Sequence, residues 1–497
     1  MSTATATTWE TVIGLEVHVE LATRTKLFCS CPNEFGAEPN TNICPVCLGL
    51  PGSLPVLNER VVEFALRVGE AFGFSVPERS VFARKNYFYP DMPKDYQVSQ
   101  YDLPILVDGR LEIPAGDGDG DAAEPVVIGI ERAHLEEDTG KTTHVGGGGR
   151  IHEASHSLVD YNRAGVPLME IVSRPDIRSP EQARAYVQEL RATLEAIGVS
   201  DVKMEEGSLR VDANVSMRPA GTSELGTKVE IKNMNSLRSL VRALEYEQER
   251  QVALLEAGER VVQETRHWNE DDGRTHGMRS KEEAFDYRYF PEPDLVPVRP
   301  DPEWRARVRA TMPELPAVKR ARYVSEWGVG EDDARTLLGT AGLAEWAEAA
   351  VAAGADPRAV VNWATGEVLA HLNETGGGVG ELRLTPAGLA ELVGLVDDGT
   401  LSRNLARDVL QTVLAEGGSP RALVEERGLA QVSDEGELAA LVDSVLAANP
   451  AEVAEYASAD EKRQKKLRGF LMGQLMKEAQ GKANPQVLNQ LLDARLA

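Results

Sequence analysis

The sequence predicts an α+β protein whose last two-fifths is helical, and three observations lead there. Period-2 segments joined by Pro/Gly turns recur through the first 290 or so residues without the strand–helix alternation of serial βαβ units. Helices with complete start and stop signals are interspersed among them. Beyond the five prolines of 291–302 the composition turns to Ala, Leu and Glu at helical spacing. Length and composition agree: 497 residues support several domains, and 42% apolar with 27% charged residues exclude wholesale disorder, collagen-like repeats and coiled coil. The formal charge of −26 excludes a generally basic nucleic-acid or membrane-surface binder, so any polyanion must be met by a local basic patch.

The opening MSTATATTWE has neither the basic nor the apolar region of a secretory signal, and no run approaches the roughly 18 apolar residues that cross a bilayer. A soluble, cytoplasmic protein with no membrane partner is expected. Residues 14–21, GLEVHVEL, read as a strand with Leu15, Val17, Val19 and Leu21 on one face and Glu16, His18 and Glu20 on the other. That polar ridge is a wet sheet face unless other acids converge on it. Candidates follow in 130–141 (IERAHLEEDTGK), at Glu170 inside PLMEIV, at Asp212 in VDANVS and at Glu230 in TKVEIKN. Isolated acids in apolar strands are costly to bury unless paired or metal-bound. Several carboxylates with one imidazole make a hard site suited to magnesium.

All four cysteines fall in Cys29-x-Cys31 and Cys44-x2-Cys47, with prolines at 32 and 45. Two close thiol pairs on tight turns can surround one tetrahedral ion, so a structural zinc site is expected. Disulfides are disfavoured by compartment and four unrelated thiols by spacing. The run GDGDGD at 116–121 lacks the Gly and Glu of a calcium loop and reads as a hairpin tip. His152-Glu-Ala-Ser-His156 matches a zinc-protease pattern but sits between glycines with no amphipathic helix to carry it. Gly140-Lys141-Thr142 resembles the end of a P-loop, yet Leu135 stands where the leading glycine belongs.

Helix signals are fullest in 179–198: Ser179 as N-cap, Pro180 in the first turn, Gln182 three residues on and Gly198 as the stop. A second helix starts near Asn235. Aromatic and basic residues interleave in 83–102 and 286–294, a pattern able to stack bases and contact phosphates. Within 461–482, Lys462, Arg463, Lys465, Lys466, Arg468, Lys477 and Lys482 face only two glutamates, giving +5 against −31 for the remainder. This is the expected phosphate contact.

Taken together, GLEVHVEL, the cysteine cluster, KNYFYPDMPKDYQVSQYDLPI (85–105), HLEEDTGK (134–141), VDYNRAGVPLMEIVSRPDI (159–177), VDANVSMRP (211–219), TKVEIKNMNS (227–236), DYRYFPEPDL (286–295) and GFLMGQLMKEAQGKANP (469–485) make the chain resemble the GatB family, a component of bacterial tRNA-dependent amidotransferases, over essentially its whole length. From about residue 350 it is similar to the YqeY-type helical module. The resemblance implies a cradle-shaped, mainly antiparallel catalytic domain at 1–295, a helical domain at 296–425 and a YqeY-like tRNA-binding tail at 426–497. It implies ATP-dependent amidation of glutamate or aspartate already esterified to tRNA, through an acyl phosphate. By motif, Glu16, His18, Glu137 and Glu170 are implied metal ligands, with Asp212 and Glu230 in the same pocket and Lys85 where ammonia arrives. Glu16, His18, Lys85, Glu137 and Glu170 are thereby implied catalytic residues. Simple alternation puts Glu136 and Glu137 on opposite faces, and Glu136 is the alternative. The chain carries no glutaminase signature, so ammonia is expected from GatA, steadied by GatC in a heterotrimer. Arg174 and Val211 depart from the family pattern. A non-catalytic tRNA-binding scaffold is the competing reading.

Overall fold

Alternating apolar residues along 9–20 form the first strand, β1 (Trp9–Glu20), of the computed structural model. The structure describes residues 8–114, 125–146, 154–278, 287–429, 435–479, 483 and 485–496. The 116–121 run, His152 and Lys482 lie outside these. Leu15, Val17 and Val19 are fully buried, while Glu16, His18 and Glu20 face the other way, as the period requires.

The strands that follow are β2 (Phe82–Asn86), β3 (Tyr96–Gln100), β4 (Leu106–Ile113), β5 (Val126–Glu137), β6 (Lys141–Val145), β7 (His156–Asp160), β8 (Pro167–Ser173), β9 (Leu209–Pro219), β10 (Val229–Lys232), β11 (Thr265–Asn269), β12 (Arg274–Gly277) and β13 (Phe290–Pro291). Among the described residues, eight of them form one sheet in the order β12-β11-β10-β9-β1-β8-β5-β4, antiparallel except for β10 and β11. A three-stranded sheet, β13-β2-β3, and the β6–β7 hairpin hold the remaining strands of the described residues. Mixed strands and helices with a mainly antiparallel sheet agree with the α+β expectation. Both motif look-alikes meet strands where their chemistry needs helices: Lys141 opens β6 and His156 opens β7.

One face of the large sheet is covered by helices. After α1 (Glu59–Ala71), α2 (Pro180–Ala196) begins at Ser179, whose hydroxyl accepts from the Gln182 amide, and ends before Gly198 at φ +69°. The Gln182 side chain accepts from Arg178 N, one residue short of the reciprocal capping-box partner. The next helix, α3 (Leu237–Glu256), is capped by Ser236. Ala183, Val187, Leu190 and Leu194 of α2, with Leu240, Ala243 and Leu244 of α3, share one core with the inward residues of β1. The sheet's polar face is thereby left for a site.

The proline-rich segment is extended, but it is tied along β2: Phe290 pairs with Arg84, Glu292 N donates to Phe82 O, and Val298 bridges Ser80. The short helix α4 (Pro302–Ala310) follows, and Trp304, Met312 and Leu315 still pack on the first core. By its contacts the chain divides into two units, Met1–Pro316 and Ala317–Ala497. Every described element of the second unit longer than a single bridge residue is helical, with one apolar cluster spanning Tyr323 to Val424 and another spanning Leu438 to Leu492. No described helix is long and apolar enough to cross a membrane.

Candidate active site and metal centres

Strand pairing assembles the first site. His18 on β1 lies directly opposite Glu170 on β8, and Glu170 lies opposite His134 on β5, so three polar side chains form one row across three strands. Glu136, two residues along β5, faces the same side. His18 Nε2 is 3.4 Å from Glu170 Oε2 and 4.0 Å from Glu136 Oε1. Together with Glu16, Lys85 and Glu230, these residues line a cavity of about 600 Å³ walled by Tyr101 and Tyr289. Glu16, His18 and Glu170 thus line the same cavity.

Glu137 is placed elsewhere. Its carboxylate accepts from Lys94 Nζ and from Val98 N at 2.9 Å, on the opposite face of β5, and it is buried. A β-bulge is the reason. Ile128 and Ile130 point into the core, and unbroken alternation from them would send Glu136 inward and Glu137 into the cavity. The register shifts between Ile130 and Arg132, after which Ala133 and Leu135 are the core residues and Glu136 faces the cavity. The motif-based assignment of Glu137 to the pocket is therefore corrected to Glu136 in this structure.

The acids further along the sheet form a second group. Glu16 lies opposite Asp212 across β1 and β9 and accepts from Asn214 Nδ2 at 2.9 Å. Lys232 Nζ bridges Asp212 and Glu230, the latter at 3.3 Å, and Glu230 also accepts from Thr265 Oγ1. Among the described residues, only two groups of donors are close enough to share an ion: His18, Glu136 and Glu170, and the four cysteines. Glu16, Asp212 and Glu230 belong to neither.

Electrostatics bind the first group together. Burial opposes an imidazolium at His18, yet the hydrogen bond and charge of Glu170, with Glu136 and Asp212 behind it, push its pKa up to about 9. Burial likewise works against a charge on Glu170, but His134, His18 and Lys85 hold that carboxyl far below the usual carboxylate range. At Lys85 the neighbouring Tyr289, Glu136, Tyr287 and Glu170 overcome desolvation and raise the ammonium, which rests 4.7 Å from the centre of the Tyr287 ring. Clusters of mutually charged groups at a cavity wall are common at functional sites. Ser99 Oγ donates to Glu136 Oε2 at 3.1 Å, fixing that carboxylate from β3. Sequence reasoning misses both Ser99 and His134. His134 is legible as the residue in phase with Glu136; Ser99 reaches the site only through tertiary packing.

The four cysteines converge as their spacing implies. Their sulfurs lie within 4.8 Å of one another, Cys44 and Cys47 Sγ are 3.9 Å apart, and Cys44 N donates to Cys47 Sγ at 3.1 Å. Donors about 2.3 Å from a tetrahedral ion stand roughly 3.8 Å apart, so the set fits a closed four-sulfur centre. Beside it the fully buried Lys26 donates to Asn42 O and Ala164 O, binding the cysteine loop to the segment before β8.

In the second unit the basic run is the helix Glu461–Glu478, capped by Asp460 and seated by Leu467, Leu471 and Leu475. Arg463 pairs with Glu455 and Arg468 with Asp493, whereas Lys462, Lys465, Lys466 and Lys477 are exposed.

Comparison with known proteins agrees over nearly all of the chain. Residues 11–306 match the family described as GatB/GatE catalytic domain, and residues 345–496 match the GatB domain. The B subunit of the aspartyl/glutamyl-tRNA(Asn/Gln) amidotransferase of Thermosynechococcus vestitus is 53% identical over 493 residues, covering 99% of this chain and 97% of that protein. The protein of the same name from Carboxydothermus hydrogenoformans is 52% identical over 98% of this chain and 99% of its own length. That of Salinispora arenicola is 53% identical over 98% and 96%.

Proposed function

Because the chain belongs to the GatB family of tRNA-dependent amidotransferase components, we propose that it converts glutamate or aspartate esterified to tRNA(Gln) or tRNA(Asn) into the amide, at the expense of ATP. The observation that carries this reading is the gathering of His18, Glu136, Glu170 and Lys85 around one cavity. A carboxylate is a poor acceptor for ammonia because its leaving group would be oxide. Phosphorylation by ATP replaces that group with phosphate, and such transfer is chiefly alignment and charge neutralisation. A divalent cation, Mg2+ in the first instance, would be held by His18, Glu136 and Glu170 and would supply charge neutralisation for the phosphates. The donors fit a cation: His18 Nε2 stands 3.4 and 4.0 Å from the two carboxylates, longer than hydrogen bonds, and all three donor atoms lie within 4.8 Å of one another. Glu16, Asp212 and Glu230, with Lys232 among them, would orient the acyl end. Lys85, which lines the same cavity from β2, would mark where ammonia arrives.

Ammonia would come from a GatA partner steadied by GatC, in a cytoplasmic heterotrimer acting in translation. The four cysteines would hold a structural Zn2+. Assaying the complex with each misacylated tRNA, ATP and glutamine tests the reading. Amide on at least one tRNA is expected, and none on either would overturn it. If amide forms but the Glu136→Gln variant makes it as fast as wild type, the scaffold reading takes over.

The tail would grip tRNA outside the cavity, which reconciles an acidic chain with an RNA substrate. Replacing Lys462, Lys465 and Lys466 by Ala is expected to weaken tRNA binding about tenfold at physiological salt and to reduce the slope of log K against log salt by about 2. Filter binding across a salt series checks this. An unchanged slope removes the tail from the contact.

A further inference from the structure

The aromatic residues that interleave with basic ones in 83–102 and 286–294 have no role in the reading above. The fold collects them. Tyr87 follows β2, Tyr101 follows β3, and Tyr287 and Tyr289 lead into β13, so the three-stranded sheet brings four tyrosines to the cavity whose acids come from the eight-stranded sheet. The rings of Tyr101 and Tyr289 are stacked, 4.4 Å between centres and 10° from parallel, and Tyr287 meets Tyr289 edge-on at 6.2 Å. Tyr101 is 52% exposed although Tyr289 covers one face of its ring. The ladder therefore ends at the cavity in an aromatic face still open to solvent. A strained turn braces it: Arg288, between the two tyrosines, sits at φ +46°, a left-handed conformation unfavourable for a residue with a Cβ. Asn86 Nδ2 holds it there by donating to Tyr287 O at 2.9 Å and to Arg288 O at 2.8 Å. Core packing explains buried rings and leaves a braced, half-exposed stack unexplained.

Resting on the tRNA reading of the cavity, we propose that Tyr101, backed by Tyr289 and Tyr287, stacks the terminal adenine of the aminoacylated tRNA and so positions its acyl end in the cavity. Open aromatic faces with cations alongside bind the bases of single-stranded nucleic acid by stacking, which every base permits. Lys85 lies 4.7 Å from the centre of the Tyr287 ring, and Arg288, exposed in the same segment, supplies a cation for a phosphate backbone. An amino acid is esterified to tRNA at a 3′-terminal adenosine, so the substrate brings one adenine ring close to the reacting group. ATP brings another. The exposure of Tyr101 favours the first source. Pockets for small ligands enclose about 70–90% of the ligand surface, whereas the end of a polymer needs a platform open on one side, because the preceding nucleotides continue outward.

The probe is tRNA whose terminal adenosine is replaced by 2-aminopurine, a base whose fluorescence falls when it stacks on an aromatic ring, bound to the full chain assembled with its partner subunits. Wild type is expected to quench it about twofold or more at saturating tRNA and Tyr101→Trp equally, whereas Tyr101→Leu, which keeps apolar cover on Tyr289, leaves it bright. In amide formation Tyr101→Leu is expected to raise KM for the misacylated tRNA about tenfold with kcat changed less than about threefold. Tyr101→Phe restores that KM, and KM for ATP stays within about twofold throughout. Thermal unfolding checks each variant, and Tyr289→Leu is the substitute should Tyr101→Leu not fold. A rise in KM for ATP in place of tRNA overturns the assignment and gives the ring to the nucleotide. Equal quenching by wild type and Tyr101→Leu also overturns it and leaves the stack as packing. The fluorescence measurement needs no turnover. Quenching that depends on Tyr101 in a complex making no amide on either tRNA keeps the stacking site and removes the amidation reading; amide formation with quenching indifferent to Tyr101 does the opposite.

Discussion

Glu136→Gln is expected to lower amide formation at least about 100-fold while leaving thermal unfolding unchanged, and Glu137→Gln is expected to do nearly the reverse. The two carboxylates are sequence neighbours on opposite faces of β5. Glu136 contributes charge to a cavity where it is balanced by His18, His134 and Lys85, and neutralising it removes one of the few anionic donors facing the reactants. Glu137 is a buried partner for Lys94, whose side chain is 8% exposed, and for the amide of Val98. The glutamine amide oxygen can still accept from both donors, but the negative charge that pairs with the ammonium is lost. A lysine ammonium left buried without its counter-charge costs about 3–5 kcal/mol. Denaturant unfolding of the first unit, followed beside the rate of amide formation, separates the two effects. If Glu137→Gln abolished activity in a fully stable protein while Glu136→Gln were active, the bulge-shifted register would be wrong.

That pair also shows where reading the sequence stops. Local structure is legible wherever its cause is local. The alternation of Leu15, Val17 and Val19 against Glu16 and His18 carries its own phase, and Ser179, Pro180 and Gly198 mark both ends of α2 within one segment. The cysteine cluster is legible because thiolate spacing on turns has few other meanings. The face on which Glu136 lies is not local information. It depends on one extra residue between Ile130 and Arg132, accommodated against β8, a strand some forty residues away. Motif and alternation name both glutamates and cannot choose between them. Asp212, Glu230 and Lys232 show a related limit: the sequence gathers the acids, but only the structure reveals the lysine that neutralises two of them. Buried Lys26 gave no signal at all. Its partners are main-chain carbonyls at 42 and 164, which any residue type could supply.

Cys44→Ser, or removal of metal with a strong chelator, is expected to release about one zinc per chain and to lower the first unit's unfolding temperature by roughly 5–10 °C. Residues 29–55 contain no described helix or strand, only the isolated Thr25–Pro32 bridge at their start, so little backbone pairing would hold the rest of this loop once the sulfurs separate. Structural zinc sites contribute folding free energy outright, and a loss on the order of 5 kcal/mol would shift a domain of this size by that many degrees. The loop is also a wall for other parts. Gly165, held at φ +84°, has space for no more than an ordinary contact with Cys47 on one side and Glu137 on the other. Gly49, also left-handed, lies against Lys94 so closely that a Cβ there would strike its side chain. Opening the cysteine loop therefore exposes the Lys94–Glu137 pair to water and loosens the end of β5, from which Glu136 projects. Amide formation should fall with the stability, and readdition of Zn2+ to the chelated wild-type protein should restore both. Elemental analysis, limited proteolysis between residues 34 and 55 and thermal unfolding measure the three consequences separately. Wild-type protein purified without zinc and insensitive to chelator would show that the four thiols are a packing feature, and Glu136 would then have to be held by Ser99 and the sheet alone.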